Sequence, residues 1–106
     1  MKTIIALLAG VALTSVASAA DVAAGAAKAK EVCSACHGGD GNSTDVNNPR
    51  LAGQHPDYLA KALRDYKSGD RNNPIMKGFA ATLSKKDIEN LAAYFSSQKS
   101  SLSVKY

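Results

Sequence analysis

Three stretches of helical periodicity, separated by turns rich in glycine and proline, predict an all-α fold of about three main helices. Apolar residues recur at intervals of three and four from Val22 to Cys33, from Tyr58 to Tyr66 and from Ile88 to Phe95. No alternating run is long enough for a strand, nothing repeats, and no linker divides the chain, so its 106 residues suit one domain.

From Asp21 to about Ser34 the chain is rich in alanine, the best helix former, with Asp21 in position to cap it. Gly25 interrupts the stripe formed by Val22, Ala26, Ala29 and Val32. A glycine there costs up to ~1 kcal/mol, which asks for a close backbone neighbour. Gly38-Gly39-Asp40-Gly41 ends this helix, and an irregular polar run follows to Asn48-Pro49.

Pro56 suits the first position of a second helix, whose stripe of Tyr58, Leu59, Ala62, Leu63 and Tyr66 runs to a stop at Ser68-Gly69. Its tyrosines are expected to be packing residues, with hydroxyls that find partners in a cavity wall. Asp70 to Leu83 is expected to be irregular. Ser84 and Asp87 form a capping-box variant at the head of a third helix, whose apolar face is Ile88, Leu91, Ala92 and Phe95. Residues 97–106, rich in serine, are expected to be a loosely ordered tail.

The N-terminus looks like an export signal over residues 1–19: Lys2, an apolar run from Ile4 to Val16, then Ala17-Ser18-Ala19 as an A-x-A cleavage site. The run is too short to span a bilayer, so the expected product is a periplasmic domain, 20–106, without stable membrane insertion. Cleavage lowers the formal charge from +4 to +3. A core this small needs a staple such as a disulfide, a metal or a large cofactor. The basic residues are scattered, which excludes nucleic-acid binding and leaves an acidic face on a protein partner as the complementary surface.

Cys33-Ser34-Ala35-Cys36-His37 holds both cysteines of the sequence and sets an imidazole directly after the second. C-x-x-C-H is the attachment signature of covalent haem c. On a helix, Cys33 and Cys36 share a face and can meet two vinyl groups on one porphyrin edge, while His37 comes under the iron as an axial ligand. Zinc lacks ligands, since His55 is the only other histidine and there is no third cysteine. A thioredoxin-like dithiol would need a strand before it, and the flanks are helical.

For the second axial position the candidates are Met76, the only methionine left after cleavage, and His55. Met76 is favoured, since methionine with histidine is a known haem pair and Pro74 and Gly78 suggest a loop that can aim it inward. His55, ahead of Pro56, suits a surface or cap position. An open site remains the third possibility.

These residues resemble the class I c-type cytochromes, in particular bacterial periplasmic monohaem cytochrome c-553 and single halves of dihaem cytochrome c4. The likeness rests on Cys33 to Gly38, Pro49-Arg50-Leu51-Ala52-Gly53-Gln54-His55-Pro56, Asn73-Pro74-Ile75-Met76 and Leu91-Ala92-Ala93-Tyr94-Phe95. It implies a small cytochrome c fold wrapped around one covalent haem c, with His37 and Met76 on the iron. It also implies that the Pro49 carbonyl orients His37 and that the first and last helices cross through Gly25 and Tyr94. Ala29 departs from the aromatic found in many relatives, which would thin that contact.

The implied function is one-electron transfer in the periplasm, between respiratory or dehydrogenase partners, by a protein that is not itself an enzyme. Lys28, Lys77 and Lys85 would ring the exposed haem edge, and the protein would be a monomer or weak dimer. The alternatives are a haem subunit of a larger oxidoreductase, or a haem enzyme or sensor with an open distal site.

Overall fold

The structure, a computed structural model, describes residues 3–12 and 19–102. Residues 3–12 are exposed and non-helical, and part of the expected 1–19 signal, Ala17 and Ser18 included, lies outside the described residues. No helix among the described residues is long and apolar enough to cross a membrane.

α1 (Val22–Val32) begins where the alanine-rich run begins. The Asp21 carboxylate accepts from the Ala24 N–H at 3.0 Å, and the Asp21 N–H donates to Asn90 Oδ1 at 2.8 Å. At Cys33 the regular path breaks. The Ser34 hydroxyl donates to the Lys30 carbonyl at 3.0 Å, competing for an acceptor that an uninterrupted helix would use. The single turn α2 (Ser34–His37) then ends at Gly38, whose φ is +82°.

α3 (Pro56–Ser68) has proline in its first turn and closes on Gly69 in the left-handed region. α5 (Lys85–Ser97) opens with a complete capping box: the Asp87 N–H donates to Ser84 Oγ at 3.0 Å, and the Ser84 N–H to Asp87 Oδ2 at 2.9 Å. Hydrogen bonding from the Ser84 backbone holds the Asp87 carboxyl below the ordinary aspartate range.

Between them the structure corrects one expectation. Residues 74–80 are not irregular but form α4 (Pro74–Ala80). Asn73 caps it by accepting from the Met76 N–H at 3.0 Å, and Pro74 supplies a φ already suited to the first helical residue.

α5 is the element on which the others converge. α1 and α3 both pack on it, and α4 packs on α3. The core between them is Ala29, Leu59, Ala60, Leu83, Ile88, Leu91, Ala92 and Phe95, with Leu91 only 1% exposed. Gly25 marks the crossing of α1 and α5, since a Cβ there would lie 2.1 Å from the Asn90 carbonyl oxygen and 2.9 Å from Tyr94 Cβ. Ala29 is completely buried, so the crossing closes over a methyl group. Of the tail, residues 103–106 lie outside the described residues. The preceding segment is tied down by Asn42, whose amide donates to Lys99 O at 2.9 Å and accepts from the Ser101 N–H at 2.7 Å.

Gly25→Ala forces the two backbones apart, as overpacking of a close contact does. It should lower unfolding stability by about 1–3 kcal/mol, read from the denaturant midpoint; an unchanged midpoint would show that the crossing yields at no cost.

Candidate functional site

α1 packs on α5 and on α2, and α3 packs on α5 and on α4, with no substantial packing between these two groups among the described residues. The gap is a cleft of about 320 Å³. Its walls are mostly apolar, with Val32, Leu51, Leu59, Leu63, Phe79, Leu83, Leu91 and Phe95 among them. Cys33, Cys36, His37, Pro49 and Met76 all face this one cleft, while His55 does not line it.

His37 is 7% exposed, and its Nδ1 lies 2.8 Å from the carbonyl oxygen of Pro49. A carbonyl only accepts, so Nδ1 carries a proton and donates, and Nε2 is the ring nitrogen left to meet a ligand in the cleft. The intervening loop is fixed at several points. Leu51 and Ala52 donate their N–H groups to Gly41 O at 2.8 and 3.2 Å, and Arg50 Nε donates to Ser43 O at 3.1 Å. Gly41 has φ +82°, and a Cβ there would lie 2.7 Å from the Phe95 ring. Only glycine allows the loop to close there.

The two cysteines are free thiols. Burial, reinforced by the neighbouring Cys36, pushes the Cys33 thiol up to about 11. Redox-active dithiols work through a thiolate available near neutral pH, so this environment disfavours a thioredoxin-like role. Two free thiols, an imidazole whose Nδ1 is committed to Pro49, a thioether and apolar walls around one cleft together fit a haem. The donor set is what that cofactor requires.

Met76 is half-buried and presented from α4, not from an irregular loop. The Asn73 cap that sets the start of α4 was legible as an Asn-Pro pair, the signature of cap and first helical residue. Lys28 pairs with Glu31 at 3.4 Å, Lys77 and Lys85 are exposed, and none of the three lines the cleft. One further residue on the cleft wall, Arg71, was not marked by its spacing, and it meets the two tyrosines that were. Arg71 lies 4.7 Å over the Tyr66 ring and donates to the Tyr58 hydroxyl at 3.4 Å, which raises its guanidinium above its ordinary value.

Asn73→Ala leaves the Met76 N–H without its acceptor. The expected loss is about 1 kcal/mol of unfolding stability, as for other helix caps, measured by chemical denaturation. A neutral result would mean that α4 is held by packing alone.

The family description "Cytochrome C oxidase, cbb3-type, subunit III" matches residues 20–95. The chain is 49% identical over 104 residues to cytochrome c4 of Pseudomonas aeruginosa, an overlap of 97% of this chain and 51% of that protein. It is 42% identical over 84 residues to cytochrome c-554(548) of Halomonas halodenitrificans, covering 76% of this chain and 100% of that protein. The crystal structure of reduced recombinant cytochrome c4 from Pseudomonas stutzeri superposes with a TM-score of 0.74 at 47% identity, over 79% of this chain and 48% of that one. The chain thus spans about half the length of the cytochrome c4 relatives that it matches.

Proposed function

The chain belongs to the class I c-type cytochromes, and from that membership we propose that it carries single electrons in the periplasm by means of one covalently attached haem c. The observation that carries this proposal is the His37 ring, fixed by the Pro49 carbonyl at 2.8 Å in an apolar cleft that Cys33, Cys36 and Met76 also line. Cys33 and Cys36 would tie the cofactor by thioethers, and His37 Nε2 and the Met76 sulfur would hold its iron from opposite faces. When bound, haem supplies an iron centre that changes charge by one electron, with methionine ligation raising its potential.

The contribution of the protein is positional. The Pro49 carbonyl fixes the tautomer and orientation of His37 and makes the ring a stronger donor. The leucine and phenylalanine walls would shield the bound group from water, and Met76 on a capped helix would be the second protein donor to its iron. With both donors held by the fold, little of the protein would have to move when the charge of the iron changes.

The apolar leader with its A-x-A site supports export to the periplasm. The positive balance supports docking to acidic faces of redox proteins, with Lys28, Lys77 and Lys85 as the contact candidates and a monomer or weak dimer as the working form. The half-length match to the cytochrome c4 relatives favours a second reading, in which the domain is a haem subunit of a larger oxidoreductase. An enzyme or sensor with an open distal site is disfavoured by Met76 on the cleft wall.

Purified holoprotein should carry one haem per chain and show a low-spin spectrum with the methionine-to-ferric-iron charge-transfer band. Met76→Ala should abolish that band and admit added cyanide or carbon monoxide within mixing time. A high-spin wild type, or a band that survives in the variant, would remove Met76 from the iron. Separately, the rate of reduction by an acidic protein partner should fall as salt rises from 0.01 to about 0.15 M. A rate insensitive to salt would rule out the basic docking face.

A further inference from the structure

We propose that Tyr94 is a positioning residue for His37: with its hydroxyl on the Gly39 carbonyl and its Cβ against Gly25, it pins both ends of the segment that carries Cys33, Cys36 and His37. The proposal rests on the haem assignment above and adds to it a residue that does not itself line the cleft.

The first observation is that the two ends of one side chain meet two different parts of the chain. The crossing of α1 and α5 uses the near end, since a Cβ on Gly25 would lie 2.9 Å from Tyr94 Cβ. A hydroxyl adds nothing to that crossing. The Tyr94 hydroxyl instead donates to Gly39 O at 2.6 Å, on the short side of an ordinary O–H···O bond. Its acceptor lies just past the end of α2, two residues beyond His37.

The second observation is that the turn after His37 has little of its own to hold it. Gly38, Gly39 and Gly41 are three glycines in four residues, the residue type with the most backbone freedom to lose on folding. Gly38 closes α2 at φ +82°, and Gly41 is wedged between Phe95 and the Ala52 backbone. Gly39 is exposed and has no positive φ, and a Cβ there would meet nothing within 4 Å. The bond from Tyr94 supplies the anchor that packing does not.

The third is what the turn does to the ring. His37 is the last residue of α2, so a shift at Gly38-Gly39 moves the imidazole relative to the Pro49 carbonyl 2.8 Å from its Nδ1. That carbonyl is carried by a loop with its own supports, among them the Phe95 ring against Gly41. Adjacent residues of α5 therefore hold the two sides of one hydrogen bond, Tyr94 the side of the ring and Phe95 the side of the carbonyl. A well-formed bond at Nδ1 makes the imidazole a stronger donor, which favours ferric iron.

The test is Tyr94→Phe in the holoprotein, which removes the hydroxyl and keeps the ring and the Cβ. Exchange of the His37 Nδ1–H with solvent, followed by NMR in the reduced protein, should accelerate by roughly 2- to 12-fold, the range that loss of one ordinary hydrogen bond supports. The midpoint potential should rise. Ser84→Ala is the control, because it weakens the capping box at the opposite end of α5 and should lower the melting temperature without touching the turn. If Tyr94→Phe shifts exchange and potential no further than Ser84→Ala does, the hydroxyl only stiffens α5 and the proposal fails. A potential that moves while exchange keeps its wild-type rate would also overturn it, since the effect would then bypass the ring. Absence of a haem spectrum in the wild type would overturn the haem assignment itself, a separate and visible outcome.

Discussion

The hydrogen bond between the His37 ring and the Pro49 carbonyl closes a loop of twelve residues without helix or strand, and much of the fold serves to keep it closed. An imidazole free to rotate offers a metal either nitrogen in many orientations. One whose Nδ1–H is committed to a fixed acceptor offers Nε2 in a single direction. The carbonyl therefore has to be held as firmly as the ring. Gly41 does this on one side, accepting from Leu51 and Ala52 against the Phe95 ring, and the Arg50–Ser43 bond does it on the other.

Those supports lead back to α5. Phe95 packs against the loop, and its carbonyl accepts from the Gly53 N–H at 2.9 Å. The Tyr94 hydroxyl donates to Gly39 O at 2.6 Å, just beyond α2. The same stretch of α5 receives α1 at Gly25, where the backbones come too close for any side chain. One helix thus sets the start of the first helix, the turn after His37 and the loop that carries Pro49. A small protein with little core gains rigidity by such shared contacts, and a haem in the cleft would add the apolar surface that the chain lacks by itself.

The cleft also shows how packing and chemistry divide between its walls. The α1–α2 side presents the thiols and the imidazole, all within five consecutive residues, so their relation is set by local helix geometry. The α3–α4 side presents Met76, Tyr58, Tyr66 and Arg71, whose relation depends on how α4 folds back on α3. Asn73 matters on this side because capping α4 fixes where its helical turn, and hence Met76, begins.

The sequence alone determined the elements whose causes are local. Asp21, Pro56, Gly69 and the Ser84–Asp87 box each act within four residues, so the three long helices and most of their limits could be read directly, though not the break at Cys33 that separates α1 from α2, and C-x-x-C-H pointed to haem attachment. It failed at residues 74–80, where Pro74 and Gly78 looked like breakers although the first is a helix starter and the second is tolerated in a seven-residue helix. Only the tertiary structure decided that five nominated side chains share one cleft, that Asn90 caps a residue 69 positions away, that Asn42 clasps the chain end, and that Arg71 lies over Tyr66. The physical reason is one of range. A cap or a turn is a contact between near neighbours and leaves a pattern in the chain, whereas a polar pair joined by the crossing of two helices leaves none until the helices are packed.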